Sequence, residues 1–233
     1  MNVFAEKSFF KNISNLLPDQ SARLSYGVAV TDFDNDGNDE FIVTGFRYNN
    51  LALGFNGETL ENKITDNIFS DPERSTIGVA ACDIDKDGSE EIYFLNTDTY
   101  SGMKMYSDRL LINTQNVIDD LFEKEINQSE LNLTAGRSVV CVDREGKGNY
   151  GIYVANYGGP TRFYEFIENR VVDLAASLGL DKVTGGRAVV AGHILSDQID
   201  VFAANERGPN FLYFNQNGKY SDCLLYTSDA ADE

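Results

Sequence analysis

Apolar residues in this chain fall in short runs separated by polar turns rich in Asp, Asn and Gly, and the arrangement repeats. GVAVTDFDNDGNDEFIVTGF, from Gly27 to Phe46, is echoed by GVAACDIDKDGSEEIYFLNT from Gly78 to Thr97. Fainter echoes are GRSVVCVDREGKGNYGIYVAN from Gly136 to Asn156 and GRAVVAGHILSDQIDVFAAN from Gly186. The leading glycines stand 51, 58 and 50 residues apart. Each unit also has a second half: an apolar segment, a polar turn and a short segment ending in Asp, as in LALGFNGETLENKITD, RLLINTQNVIDD, TRFYEFIENRVVD and FLYFNQNGKYSD. Asn56-Gly57 and Asn217-Gly218 are strong hairpin signals. A unit of this length holds about four strands of ordinary length, so each is predicted to be a four-stranded antiparallel meander.

Runs such as EIYFLN and GIYVAN do not alternate apolar with polar, so both faces of those strands need cover. Stacking each sheet between its neighbours supplies it. The fold class that follows is all-β, a β-propeller of four-stranded antiparallel blades. A β-sandwich is the weaker alternative because it does not require a period near 50 residues. The connector VVDLAASLGLDK is expected to carry one helical turn closed by Gly179.

The chemistry lies in the turn of D-x-D-x-D-G-x-x-E, present twice: Asp32, Asp34, Asp36 and Glu40, then Asp83, Asp85, Asp87 and Glu91. Alternate side chains fall on one side of a tight loop, so the carboxylates converge. Two unit charges about 4 Å apart repel by roughly 4 kcal/mol at an effective dielectric near 20, a strain that a hard divalent cation removes. Ca²⁺ suits such a set because it accepts six to eight oxygens in adaptable geometry. Gly37 and Gly88 allow the bend, and Asn38 and Ser89 stand where a main-chain carbonyl is normally offered. An EF-hand needs a Glu at loop position 12, where this chain has Val43 and Phe94, and its flanks should be helical. A strand–loop–strand calcium loop is the reading that remains.

The third copy reads as degraded, with Cys141 at the first acidic position, Asp143 and Glu145 keeping two acids, and KGNYG adding residues before the next strand; it is a doubtful calcium site. The fourth keeps only the turn, and His193, the single histidine, reads as a surface residue.

Composition excludes more than it assigns. The chain has 233 residues and a formal charge of −18, which repels phosphate backbones and anionic headgroups, so neither nucleic acid nor membrane insertion is expected. No signal peptide is visible at the start, so the protein is cytoplasmic or its natural start lies upstream. Cys82 and Cys141 lie in apolar strand-like runs, which favours buried small hydrophobes over a disulfide. No G-x-S-x-G, H-E-x-x-H or phosphate-cradling glycine loop occurs, so catalysis is not expected; acid pairs that could cleave glycosidic bonds are already committed to calcium.

GVAVTDFDNDG, GVAACDIDKDGSEEIYFLNT, AGRSVVCVDREGKGNYGIYVANY, TGGRAVV and NERGPNFLYFN resemble the N-terminal propeller of the cartilage acidic protein family. Its blades are FG-GAP (VCBS-type) repeats, similar to those of the integrin α-subunit head. The resemblance covers nearly all of 1–222. It implies about four blades of a ring of seven, closed in part by an N-terminal strand near 3–14. It also implies a secreted or cell-surface, calcium-binding interaction module with a protein or glycan partner and no catalysis. The metal positions it carries over are Asp32, Asp34, Asp36, Asn38 and Glu40, and Asp83, Asp85, Asp87, Ser89 and Glu91. A carbohydrate-active enzyme on a propeller scaffold and a purely structural calcium-stabilised repeat are the alternatives. Asn12-Ile13-Ser14, Asn127-Gln128-Ser129 and Asn132-Leu133-Thr134 match the N-glycosylation triplet. The tail 223–233, CLLYTSDAADE, shares nothing with the repeats and reads as a translated sequencing adapter rather than native protein.

Overall fold

A computed structural model describes residues 11–17 and 21–223. The expected N-terminal closing strand and all of the tail except Cys223 lie outside or largely outside the described residues. Among the described residues sixteen strands form four meanders. Blade 1 comprises β1 (Val28–Thr31), β2 (Glu40–Val43), β3 (Leu51–Phe55) and β4 (Leu60–Asn62). Blade 2 comprises β5 (Thr76–Cys82), β6 (Glu91–Asn96), β7 (Arg109–Thr114) and β8 (Val117–Asp120). Blade 3 comprises β9 (Gly136–Val142), β10 (Gly151–Pro160), β11 (Arg162–Ile167) and β12 (Arg170–Asp173). Blade 4 comprises β13 (Val183–Gly192), β14 (Asp200–Asn205), β15 (Phe211–Gln216) and β16 (Lys219–Asp222). Pairing within each blade is antiparallel and sequential. The long β10 also pairs with β13 through Tyr157, Gly159 and Pro160, with a bulge between Tyr157 and Gly159, so blades 3 and 4 share one eight-stranded sheet.

One apolar core lies at each junction between blades. Phe33, Ile42, Phe69 and Phe94 fill the first, Tyr93, Leu95, Phe122 and Tyr164 the second, and Tyr153, Phe163, Leu180 and Tyr213 the third. All six residues of β6 are buried, which is why its sequence does not alternate. On blade 1, Val28, Val30 and Phe41 are exposed.

The first strands of successive blades lie side by side and line the inside of the arc. The leading glycines are where they meet. A Cβ on Gly27 would lie 3.1 Å from the Cα of Gly78, and one on Gly136 would lie 2.1 Å from Leu95 Cδ1. Repetition of Gly at this place is therefore a packing requirement.

The Asp that ends most units also has a structural reason. Asp66, Asp120 and Asp173 each accept a hydrogen bond from the amide two residues on, at 2.7, 2.9 and 3.0 Å, and so start the helical connector to the next blade. After Asp173 that connector is the turn Ala175–Leu178, closed by Gly179 in the left-handed region as expected. Asn217-Gly218 forms a two-residue hairpin with both residues at positive φ. Asn56-Gly57 instead opens a four-residue loop closed by Asn56 N–H to Thr59 O at 3.1 Å.

Three expectations are corrected. Cys82 and Cys141 are joined in a disulfide with Cα atoms 6.3 Å apart, tying β5 of blade 2 to β9 of blade 3. Their apolar surroundings were a fair sign of burial, but neighbouring blades bring the two strands together and periodicity along one strand cannot report that. The amides of Asn127 and Asn132 are buried. They hydrogen-bond Leu121 O at 2.7 Å and Asp108 and Asn156 at 2.6 and 3.0 Å, so neither amide is free to carry a glycan in the folded chain. The third correction concerns the degraded loop and follows from its register below. Among the described residues no helix is long and apolar enough to cross a membrane.

Candidate metal centre

The acidic loops join the first strand of a blade to the second. In blade 1 the loop runs between Thr31 and Glu40, which face each other across β1 and β2, and in blade 2 between Cys82 and Glu91 across β5 and β6. Each loop closes on its own first Asp. Asp32 accepts the amides of Asp36 and Gly37, both at 2.9 Å; Asp83 accepts those of Lys86 at 2.7 Å and Gly88 at 3.1 Å. Gly37 and Gly88 sit at φ +88° and +93°, where a side chain would be strained. Asp34 and Asp85 each accept the amide two residues on, at 3.1 Å, and Asp36 and Asp87 accept those of Asn38 and Ser89, both at 2.8 Å. The two loops touch, with Ser89 Oγ 3.1 Å from Asn35 Oδ1.

These turns aim carboxylates at common points. Oxygens of Asp32, Asp34 and Asp36 lie within 4.8 Å of one another, and so do oxygens of Asp83, Asp85 and Glu91. Glu40 and Asp87 stand beside these triads. The side chains of Asn38 and Ser89 turn elsewhere, Asn38 Nδ2 to Asp36 Oδ1 at 2.9 Å and Ser89 Oγ to the neighbouring loop.

Electrostatics inside the loops favour a cation. Glu40 and Glu91 are each 1% exposed, and each receives a single amide, from Phe33 at 3.2 Å and Ile84 at 2.9 Å. Burial, aided by the Asp carboxylates, pushes Glu40 up to about 7 and Glu91 up to about 8. Burial also raises Asp34, helped by Asp36, and Asp85. Asp36 is lowered by its bonds from Asn38. A buried carboxylate with one donor and acid neighbours takes up either a proton or a metal ion. An all-oxygen donor set of this kind fits Ca²⁺.

Blade 3 solves the same problem differently. Val142 faces Gly151 as Thr31 faces Glu40, and Asp143 accepts the amides of Lys147 and Gly148 as Asp32 accepts those of Asp36 and Gly37. Asp143, not Cys141, is therefore the first acidic position, and KGNYG inserts nothing. In this register Glu145 matches Asp34, Lys147 matches Asp36 and Gly151 matches Glu40. The Lys147 ammonium bonds Glu145 at 2.9 Å, and Arg144 reaches Glu145 at 3.1 Å. Lys147 first, then Arg144, hold Glu145 below its usual range. Burial works against Asp143, but the amides of Gly148 and Lys147 hold it low as well. A Cβ at Gly151 would fall 2.5 Å from the Phe163 ring, so no glutamate fits there. Counting from the leading glycine places the acidic position two residues early, because seven positions separate Gly136 from Asp143 where five separate Gly27 from Asp32 and Gly78 from Asp83.

In blade 4 the exposed His193 follows Gly192, which faces Asp200 across β13 and β14. The fully buried Asp200 accepts the amides of Leu195, Ser196 and Asn215 at 2.6, 3.0 and 2.8 Å, and the Ser196 hydroxyl at 2.9 Å. Its charge is compensated by the protein alone.

Comparison with known proteins gives consistent results. The FG-GAP-like repeat family matches residues 10–94, the stretch that holds both acidic loops. Cartilage acidic protein 1 of Xenopus tropicalis is 42% identical over 231 residues, covering 88% of this chain and 36% of that protein. The Mus musculus and Homo sapiens proteins of the same name are each 41% identical over 248 residues, covering 94% of this chain and 38% of theirs. The chain thus spans little more than a third of the length of the curated relatives it matches. Among solved structures, BBS1N in complex with ARL6DN, soaked with lead, superposes with a TM-score of 0.50 at 12% identity. That match covers 86% of this chain and 56% of the other and is a likeness of fold alone.

Proposed function

The chain belongs, over the stretch it spans, to the cartilage acidic protein family, and from that premise we propose that it is a calcium-binding, non-catalytic propeller segment that presents a recognition surface to an extracellular protein partner. The observation that carries the reading is the convergence of three carboxylates within 4.8 Å at the same corner of two successive blades. Asp32, Asp34, Asp36 and Glu40, with a contribution from Asn38, would hold one ion. Asp83, Asp85, Asp87 and Glu91, with Ser89, would hold the other. A bound calcium ion supplies charge neutralisation and a fixed meeting point for oxygens. The chain supplies the rest: backbone amides orient each Asp, and Glu40 and Glu91 anchor the loops to the start of β2 and β6. The strand corners are then fixed and the surfaces between blades hold their shape.

An extracellular setting is supported by the disulfide between Cys82 and Cys141, since such bonds persist in oxidising compartments. A non-catalytic role is supported by how the conspicuous acids are used. Those of blades 1 and 2 serve cation sites, and those of blades 3 and 4 are satisfied by Lys147, Arg144 and backbone amides. Isothermal titration with Ca²⁺ tests the reading. Two ions per chain are expected, falling to one in Asp34→Asn or Asp85→Asn. An unchanged stoichiometry in both variants, or no binding at millimolar calcium, overturns it.

A further inference from the structure

The end of the blades opposite the acidic loops has the reverse chemistry. Arg137 and Arg187 take the same place in blades 3 and 4, directly after the leading glycines Gly136 and Gly186. Their guanidinium groups lie over one pair of tyrosines. Arg137 is 5.3 Å from the Tyr100 ring centre and 5.6 Å from that of Tyr157, and Arg187 is 5.5 and 5.4 Å from the same two. Two cations sharing one aromatic platform repel each other unless something negative joins them. Arg187 has such a partner, Glu206, bonded at 2.9 and 2.5 Å.

Arg137 does not. It donates to Thr97 Oγ1 at 3.0 Å, Gly136 O at 2.8 Å and Tyr100 O, all neutral oxygens, and its Nε is buried without a partner. Among the described residues no carboxylate pairs with it. Burial, and then the charge of Arg187, push its guanidinium below the ordinary value. Both arginines line an open cavity of about 420 Å³ with Arg47, Tyr26, Phe46 and Tyr100. In a chain of net charge −18, three arginines against Asp98 and the Arg187-bound Glu206 leave this concavity locally positive.

We propose that this cavity receives a single carboxylate carried on a loop of a partner protein, held by Arg137 and Arg187 and flanked by the Tyr26 and Phe46 rings. An arginine pair presents parallel N–H donors suited to a carboxylate. One acid in a neutral or basic frame fits better than a polyanion. Asp98 is among the lining residues and the chain as a whole carries a charge of −18, a field that reaches about 8 Å at physiological salt, so a sulfated glycan is repelled as it approaches the cavity. The assignment rests on reading the chain as a recognition module and names where and with what chemistry it recognises.

The test follows the arginine Nε–H signals by NMR in the calcium-loaded chain. The probes are the peptide Ac-Gly-Asp-Tyr-Lys-NH2, its Asn counterpart, and a heparin-derived tetrasaccharide. The Asp peptide is expected to shift the Arg137 and Arg187 signals with a dissociation constant on the order of 1 mM, and the Asn peptide to bind about tenfold more weakly. Arg187→Gln, on the exposed side of the cavity, and Arg137→Gln should each weaken the Asp peptide about tenfold. Equal binding of the two peptides, no shift at either arginine, or stronger binding by the tetrasaccharide overturns the proposal. Amide signals of the acidic loops report folding and calcium in the same samples. A chain that binds calcium but ignores the Asp peptide defeats this inference alone, and one that binds the peptide but no calcium defeats only the calcium reading.

Discussion

Replacing Asp85 with Asn should stabilise the calcium-free protein while weakening the calcium-loaded one, an inversion few other mechanisms produce. The substitution keeps the oxygen that accepts the Asp87 amide at 3.1 Å and removes only charge. Oxygens of Asp83, Asp85 and Glu91 lie within 4.8 Å. At that spacing each ionised pair repels by about 3.5 kcal/mol at an effective dielectric near 20, and by about 1 kcal/mol in open water. Near neutral pH Glu91, raised to about 8, is largely protonated, so the pair that matters is Asp83 with Asp85. Removing it should relieve about 1 to 3 kcal/mol, roughly 2 to 10 °C in melting temperature for a domain of this size. In calcium at a hundredfold excess over its dissociation constant, the wild type gains about 2.7 kcal/mol per site, and the variant loses that gain at one site. Differential scanning calorimetry in EGTA and in 1 mM Ca²⁺ reads both arms. If Asp85→Asn lowers the melting temperature equally in both, the carboxylates are not held together at the expense of the empty loop, and the reasoning fails.

Other expectations can be checked alongside. Joining Cys82 to Cys141 closes a loop with a sequence separation of 59, worth about 4 kcal/mol by loop entropy, so a reductant or the double Ser variant should lower the urea midpoint markedly. An unchanged midpoint would refute it. The pH response has a definite sign. Glu40 and Glu91 hold protons in the calcium-free fold at pH values where the unfolded chain has released them, so apo stability should fall as pH rises from about 4.5 towards 8. Calcium binding near pH 6.5 should therefore release protons, visible as a dependence of titration heat on buffer ionisation enthalpy; no such dependence would contradict the shifts. Gly136→Ala places a Cβ 2.1 Å from Leu95 Cδ1 and should destabilise by about 1 to 3 kcal/mol in urea unfolding.

Repetition made much of the architecture readable. The glycine that opens each unit, the acidic turn and the closing Asp each answer a local constraint that recurs in successive blades: close approach of inner strands, a turn that must close on itself, and a connector that must be started. The unbroken apolar run Ile92–Leu95 at the centre of β6 announced two-sided burial, and all six residues of the strand are buried. Contacts between blades were not readable. The disulfide joins β5 to β9, Tyr100 from the loop after β6 meets Tyr157 on β10 of the next blade, and of the paired arginines Arg187 bonds Glu206 while Arg137 bonds only neutral oxygens. The one available signal for the basic cavity was the GR pair repeated at 136–137 and 186–187, where blades 1 and 2 have Gly-Val. The polar turns predicted in RLLINTQNVIDD and TRFYEFIENRVVD, Gln115-Asn116 and Glu168-Asn169, make the same positive-φ hairpins as Asn217-Gly218 without a glycine.

If blades 1 and 2 hold calcium as proposed, Lys147 would give the chain a lopsided response to its surroundings. Because that ammonium is covalently part of blade 3, the corner it braces keeps its charge balance at any ambient ion concentration, whereas, on the proposed calcium reading, the corresponding corners of blades 1 and 2 would borrow theirs from solution. A fall in free calcium would therefore slacken one half of the arc against a half that does not notice. The bond between Cys82 and Cys141 is the seam along which the yielding part is sewn to the constant one.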